Sequence, residues 1–237
     1  MQRKAYFALA LLMLGSAAAA LAVSWTAPGR ELDQHAYDFL FRLESPAPWR
    51  PKSIILAIDE ESLTKYGGLT GIRAALSDGL MKIAPAHPAA VAVDIILPDA
   101  SATDDSLEQA FAETRNLVLS SDLLADGTWE DPIPRFRKHA VAVGEVHADL
   151  DKFDAVSRDI PLEKAGARDR RWALALATSA AVKGSSILES PEDLVVGDTH
   201  IPSSDLSGRV MRIRYTPPSM HGIPRVTVAE LDRNPAL

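Results

Sequence analysis

The sequence predicts an α/β fold, a mostly parallel or mixed sheet flanked by helices and preceded by one N-terminal transmembrane helix. Three observations predict it. An uncharged apolar stretch opens the chain, and short apolar runs then alternate with segments of helical period. The composition, 47% hydrophobic and 24% charged over 237 residues, is that of a protein able to bury a sizeable core. The absence of cysteine excludes disulfides, thiolate metal sites, a cysteine nucleophile and a lipoprotein's acylated cysteine. The net charge is -7 and the basic residues never gather into a run, so no nucleic acid partner is expected.

Residues 1–4 are expected as a cytoplasmic N-terminus, 5–25 as a signal anchor, 26–52 as a linker and 53–237 as the extracytoplasmic body. Ala5 to Trp25 carries no charge, and as a helix it would be roughly 31 Å long, the thickness of a bilayer hydrocarbon core. The lipid bilayer is therefore its expected partner. Arg3 and Lys4 precede it, whereas Glu31 and Asp33 follow beside Arg30, which puts the N-terminus inside and the body outside the bacterial inner membrane, in the periplasm. A cleavable signal peptide is the alternative, with Ala18, Ala20 and Ala22 offering small residues for cleavage. Against it, the apolar run exceeds the usual signal core of about 7–15 residues.

Past a linker holding Pro46, Pro48, Trp49 and Pro51, Ser53 to Ile58 reads as a strand buried on both faces. Asp59 then caps a short helix with Glu60 and Glu61 in its first turn, Lys65 in its last and Gly67 at its exit. Ile72, Leu76, Leu80 and Ile83 mark one face of the next helix, which Pro85 and Pro88 stop before a strand at Ala89 to Ile96. Asp105 and Glu108 fit a capping box, and Asn116 to Ser120 fits a third strand. Further on are a short helix at Pro132 to Lys138, strands at Ala140 to Val146 and Val156 to Leu162, and one helix from Arg170 to Lys183 ending at Gly184. Alternation from Val210 to Tyr215 predicts a strand with Met211, Ile213 and Tyr215 inward and Arg212 and Arg214 in water.

Asp59 and Asp94 end two strands expected to be neighbours, where open α/β sheets place ligands, and Asp99, Asp104 and Asp105 follow closely. Asp59, Asp94 and Asp104 could hold a divalent cation through oxygen, or else be helix caps and turn acceptors. Arg73 and Arg158 could bind an anionic ligand bidentately, or be ordinary surface arginines. Asp149, Asp151 and Asp154 suggest a calcium loop but lack its glycine and its twelfth-position glutamate. The histidines form no HxxxH or HExxH pair, and His139 and His147 read as surface residues flanking a strand. Without a GxSxG, GxxxxGK[ST] or GxGxxG pattern, no catalytic residue and no cofactor is assigned.

The order of segments resembles the type-two CHASE domain, an extracytoplasmic sensor of bacterial adenylate cyclases, histidine kinases and serine/threonine kinases. YDFLFRLESP (Tyr37 to Pro46) is similar to its D-x-x-F-R-L element and SIILAIDEESLTKYG (Ser53 to Gly67) to its strand, I-D-x-x-S-L and glycine. PAAVAVDIILPDASATDDSLEQAF (Pro88 to Phe111) follows its V-x-D-x-x-F, with Leu97 in place of the aromatic. VAVGEVHADLDKFDAVSRDIPL (Val141 to Leu162) and IPSSDLSGRVMRIRY (Ile201 to Tyr215) complete the likeness. GLTGIRAAL (Gly68 to Leu76) departs from the family's tryptophan- and proline-rich element, keeping only Arg73, and the family's final strand, later membrane helices and output domain are expected beyond Leu237.

The resemblance implies a membrane-anchored sensor that binds an unknown small-molecule ligand, biases a cytoplasmic enzyme and is itself no enzyme; related receptors resemble dimeric systems, so a homodimer is one expected state. Asp59, Asp94 and Arg73 would then line the pocket. Two other readings stay open, a periplasmic metal-dependent hydrolase using Asp59, Asp94 and Asp104, and a structural or dimerising module that binds no small molecule.

Overall fold

The computed structural model describes residues 2–43, 50–147, 154–215 and 222–233, in two units, Met1–Arg50 and Pro51–Leu237. The first unit is two helices, α1 (Gln2–Ser24) and α2 (Ala27–Leu43). The window Tyr6–Ser24 of α1 has a mean hydropathy of 2.1 and no buried residue, so by length and composition it can cross a membrane. Trp25 and Thr26 turn the chain. Thr26 donates its backbone N–H to the Val23 carbonyl at 2.9 Å, and its hydroxyl accepts from Gly29 N at 3.3 Å, while Pro28 starts the new helix without losing a bond. A Cβ on Gly29 would sit 2.0 Å from the Val23 carbonyl oxygen, so only glycine permits this corner. Much of the expected linker is thus helical, while its Pro46, Pro48 and Trp49 lie outside the described residues.

The second unit opens with β1 (Ile55–Ala57), α3 (Glu60–Lys65), α4 (Ile72–Ile83) and β2 (Val91–Val93). Asp59 caps α3 as expected, accepting from Ser62 N at 2.9 Å, and Gly67 leaves in the left-handed region at φ 84°. Next come α5 (Asp104–Glu113), β3 (Leu117–Leu123), β4 (Trp129–Glu130), α6 (Pro134–Arg137) and β5 (Ala142–Glu145). β3 is central, parallel to β2 on one side and to β5 on the other, with β4 antiparallel at its end. Leu117, Val118, Leu119, Ser120 and Ser121 are all buried, the burial on both faces that a short apolar run between parallel neighbours implies. One face carries Leu76 and Leu80 of α4, Leu107 and Phe111 of α5 and Phe136 of α6.

The remaining elements are β6 (Asp159–Pro161), β7 (Glu163–Ala165), β8 (Arg170–Trp172), α7 (Leu174–Lys183), β9 (Ile187–Glu189), β10 (Asp193–Val196), β11 (Thr199–Pro202), β12 (Val210–Arg212), β13 (Arg225–Thr227) and α8 (Val228–Arg233). Apart from β13, pairing here is antiparallel, β6 with β12, β7 with β8, and β10 between β9 and β11. α7 packs on β5, β3 and β2, and a Cβ on Gly144 would lie 2.4 Å from the Leu174 Cα, so glycine sets that close approach. The fold is therefore α/β with mixed sheets, and several local expectations change.

β1 pairs in parallel with β13, so β1 and β2 are not hydrogen-bonded neighbours. A strand was not foreseen at Arg225–Thr227. The capping box fails because α5 starts two residues early, at Asp104. Thr103 occupies the cap without a side-chain bond, while Asp105 and Glu108 bind Arg135 across to α6. The helix expected from Arg170 begins only at Leu174, since Arg170 to Trp172 pair with β7 and both arginines are held by carboxylates, Glu189 and Asp131. β12 is exposed throughout and Met211 and Tyr215 face water, because among the described residues β6 is its one strand partner, in a two-stranded ribbon.

Candidate functional site

The carboxyl ends of β2, β3 and β5 form one edge of the parallel sheet, the place where such sheets bind ligands at the gaps between loops. Asp94 follows β2 directly. It is exposed and makes no hydrogen bond or ion pair among the described residues. The loop beyond it is fastened by Arg73 at the start of α4, whose Nη2 donates to the Asp99 carbonyl and whose Nε lies 3.2 Å from Asp104 Oδ1. Asp104 is buried, and its other oxygen accepts from Ser101 N at 2.9 Å. Arg73 and Asp104 thus spend their charges on each other and shape the loop.

Asp59 is also engaged. Its Oδ1 accepts from the Ser62 hydroxyl at 2.8 Å, and that hydroxyl accepts from Ala229 N at 3.2 Å, so the cap ties α3 to the start of α8. The backbone N–H of Ser62, then its hydroxyl, hold the Asp59 carboxyl below its ordinary value. Among the described residues no group of three histidines, aspartates or glutamates is placed to hold a metal ion, and Asp59, Asp94 and Asp104 do not assemble into one. Arg158 is not a surface arginine. It is buried and bidentate to Asp154, at 3.1 and 2.6 Å, with no bond joining it to Arg73. Asp149 and Asp151 of the acidic loop lie outside the described residues.

At β3 and β5 the edge holds Glu145, Asp122 and Ser120, which sequence reading passed over, and His147, which it placed at the surface. Glu145, the last residue of β5, is 3% exposed, and its Oε2 accepts from His147 N at 2.9 Å. His147 Nδ1 lies 3.0 Å from Asp122 Oδ1, and since a carboxylate only accepts, Nδ1 carries the proton. Ser120 is fully buried on β3 with a hydroxyl that has no partner among the described residues. Burial pushes the Glu145 carboxyl above its ordinary value, against the lowering effects of the His147 N–H and the charge of Lys164. The signal available in the sequence was a charged residue closing the apolar run AVAVGE, and two positions later a histidine. His147 and His139 are half-buried and carboxylate-paired, His139 Nε2 lying 3.4 Å from Glu108 Oε1.

The raised Glu145 value sets a pH dependence. A carboxyl that prefers its proton when folded contributes stability below its unfolded value of 4.5 and loses that contribution as pH rises through the folded value. Glu145→Gln, which is neutral at every pH, should therefore gain in melting temperature over the parent, with the gap opening as pH climbs from about 4.5 towards neutrality. Thermal unfolding in a pH series measures it, and a gap independent of pH would show that Glu145 is solvated.

A small cleft at the opposite, amino end of β2, lined by Leu80, Ile83, His87, Pro88 and Glu113, has a volume of about 60 Å³. That is well under the roughly 300–1,000 Å³ of a small-molecule pocket.

The fold and this edge together define an α/β domain behind an apolar helix able to span a membrane, with its polar groups gathered at the ends of parallel strands. The chain belongs to the CHASE2 domain family, whose model matches residues 10–235, and CHASE2 domains are extracytoplasmic sensor domains. The matched range extends into both ends of the chain beyond the Tyr37 to Tyr215 resemblance, taking in α2, β13 and α8. Neither a curated protein nor a solved structure matches it.

Proposed function

We propose that the chain is the ligand-sensing part of a bacterial signal-transduction receptor, anchored in the inner membrane by a single pass of α1 with its body outside, and that it biases an output enzyme carried elsewhere without catalysing a reaction itself. The observation that carries this reading is the coincidence of a family of extracytoplasmic sensors with a 19-residue apolar helix, none of it buried, at the N-terminus. The ligand of this reading is a small molecule seated at the carboxyl edge, where Asp94 is open and Glu145, His147 and Asp122 lie at the neighbouring strand ends. Arg73 fastens the loop beyond β2, while Asp59 and Arg158 are each engaged with their own protein partner.

Because the chain has no cysteine, a single Leu206→Cys variant offers one label site, at a position 97% exposed. In spheroplasts, a membrane-impermeant maleimide should label it fully without lysis, and the chain should stay in the membrane fraction after alkaline extraction. Labelling only after lysis would overturn the orientation, and release into the soluble fraction would overturn the anchor.

A further inference from the structure

The helix α2 carries a second feature that the sensing role does not use. At about 100° per residue, Leu32, Ala36, Phe39, Leu40 and Leu43 fall on one arc, and Glu31, Asp38 and Arg42 on the other. Leu32, Phe39, Leu40 and Leu43 are 66%, 61%, 63% and 65% exposed, so this apolar face is uncovered. Gly29 belongs to the same side, and it is Gly29 that abuts the Val23 carbonyl near the end of α1. The face is thus turned to the side from which α1 arrives.

We propose that α2 lies in the extracytoplasmic headgroup region of the bilayer, its apolar face in lipid, as a membrane-surface helix directly following the span. This rests on α1 being a membrane span. A helix joined to a span through two residues, Trp25 and Thr26, cannot leave the interface at its first turn, and its free apolar face meets acyl chains there. The charged side chains of α2 are Arg30, Arg42, Glu31, Asp33 and Asp38, two positive and three negative, so apolar burial and not attraction to anionic lipid holds it. A second copy of the chain is a poorer occupant: 17 residues make fewer than three heptads, and coiled coils need about three to four.

The test uses the full chain in vesicles of uncharged phosphatidylcholine, with nitroxide labels on Leu40→Cys or on Glu31→Cys, which lies on the opposite side of α2. Flotation of the chain with the vesicles comes first, and its failure would sink the anchor and not this helix. In floated samples the Leu40 label should be several-fold more accessible to oxygen than to a water-soluble nickel chelate, at a depth of about 5–10 Å, while the Glu31 label shows the reverse preference. Added phosphatidylglycerol should leave both ratios unchanged. Equal ratios at the two sites, dipolar broadening between Leu40 labels of two copies, or a Leu40 label shielded from both reagents would each overturn the proposal.

Discussion

Phe111→Ala should cost about 3–5 kcal/mol of folding stability, the loss that removal of a fully buried aromatic produces when the surroundings cannot close the void. Phe111 is completely buried, and its ring meets that of Phe136 edge to face, with centroids 5.2 Å apart and planes at 88°. Around the pair stand Leu76 and Leu80 of α4, Leu107 of α5 and Leu117 and Leu119 of β3, so the void would open where three helices meet the central strand. Denaturant unfolding of the full chain in detergent, followed by tryptophan fluorescence, measures the loss. Leu206→Ala is the reference, since an exposed position should stay within about 0.5 kcal/mol of the parent. Equal effects at the two positions would mean that Phe111 is no part of a close-packed core. The same sheet presents Asp94, Asp122 and Glu145 at its edge, so on the proposed sensing role a partial loss of packing should blunt the response before the chain unfolds.

The first half of the body was legible because its signals are local. The apolar run NLVLS, the leucine and isoleucine spacing of α4 and the cap at Asp59 each decide a structure within a few residues, whereas SIILAI forms a strand but not one buried on both faces, since Ile54 and Ile55 are exposed in a two-stranded pairing. What was illegible depends on partners far along the chain. That β1 joins β13 and not β2 follows from residues about 170 positions away, and no local pattern encodes it. The segment Arg170 to Lys183 has no helix breaker, and its first three residues become a strand only because Glu163, Asp131 and Glu189 hold the arginines. The candidate site divides in the same way. Sequence reading offered Asp59, Asp104 and Arg158 as ligands or else as caps, turn acceptors and surface residues, and in the structure each is engaged by a protein partner. Glu145 was passed over because a single glutamate at a strand end looks solvated until the covering elements are placed.

Arg209 shows what such long-range pairing is worth. Its side chain is buried between β7, β9 and β12, donating to the Ser203 carbonyl at 3.2 Å and the Ser190 carbonyl at 3.0 Å. Nε lies 3.5 Å from Glu163 and Nη2 3.5 Å from Glu189, and Arg170 pairs with the same two glutamates at 2.8 and 2.6 Å. Two arginines against two glutamates leave the cluster without net charge. Arg209→Ala breaks that balance while the largely shielded Glu163 keeps its charge, and the expected cost is about 3–5 kcal/mol. Charge and packing are separable. Arg209→Met keeps the stem's volume, and adding Glu163→Gln removes the excess negative charge that Arg170 alone would face, so the double variant should regain a large part of what Arg209→Met loses, a coupling that a double-mutant cycle reads directly. The backbone of Arg209 is in the left-handed region at φ 49°, which Arg209→Gly would relieve, so destabilisation in the glycine variant as well would assign the effect to the guanidinium. Additive losses in the Met and Gln pair would instead reduce the cluster to surface charge, and the antiparallel second half would then have to be held by the Leu162, Leu176 and Leu194 cluster alone.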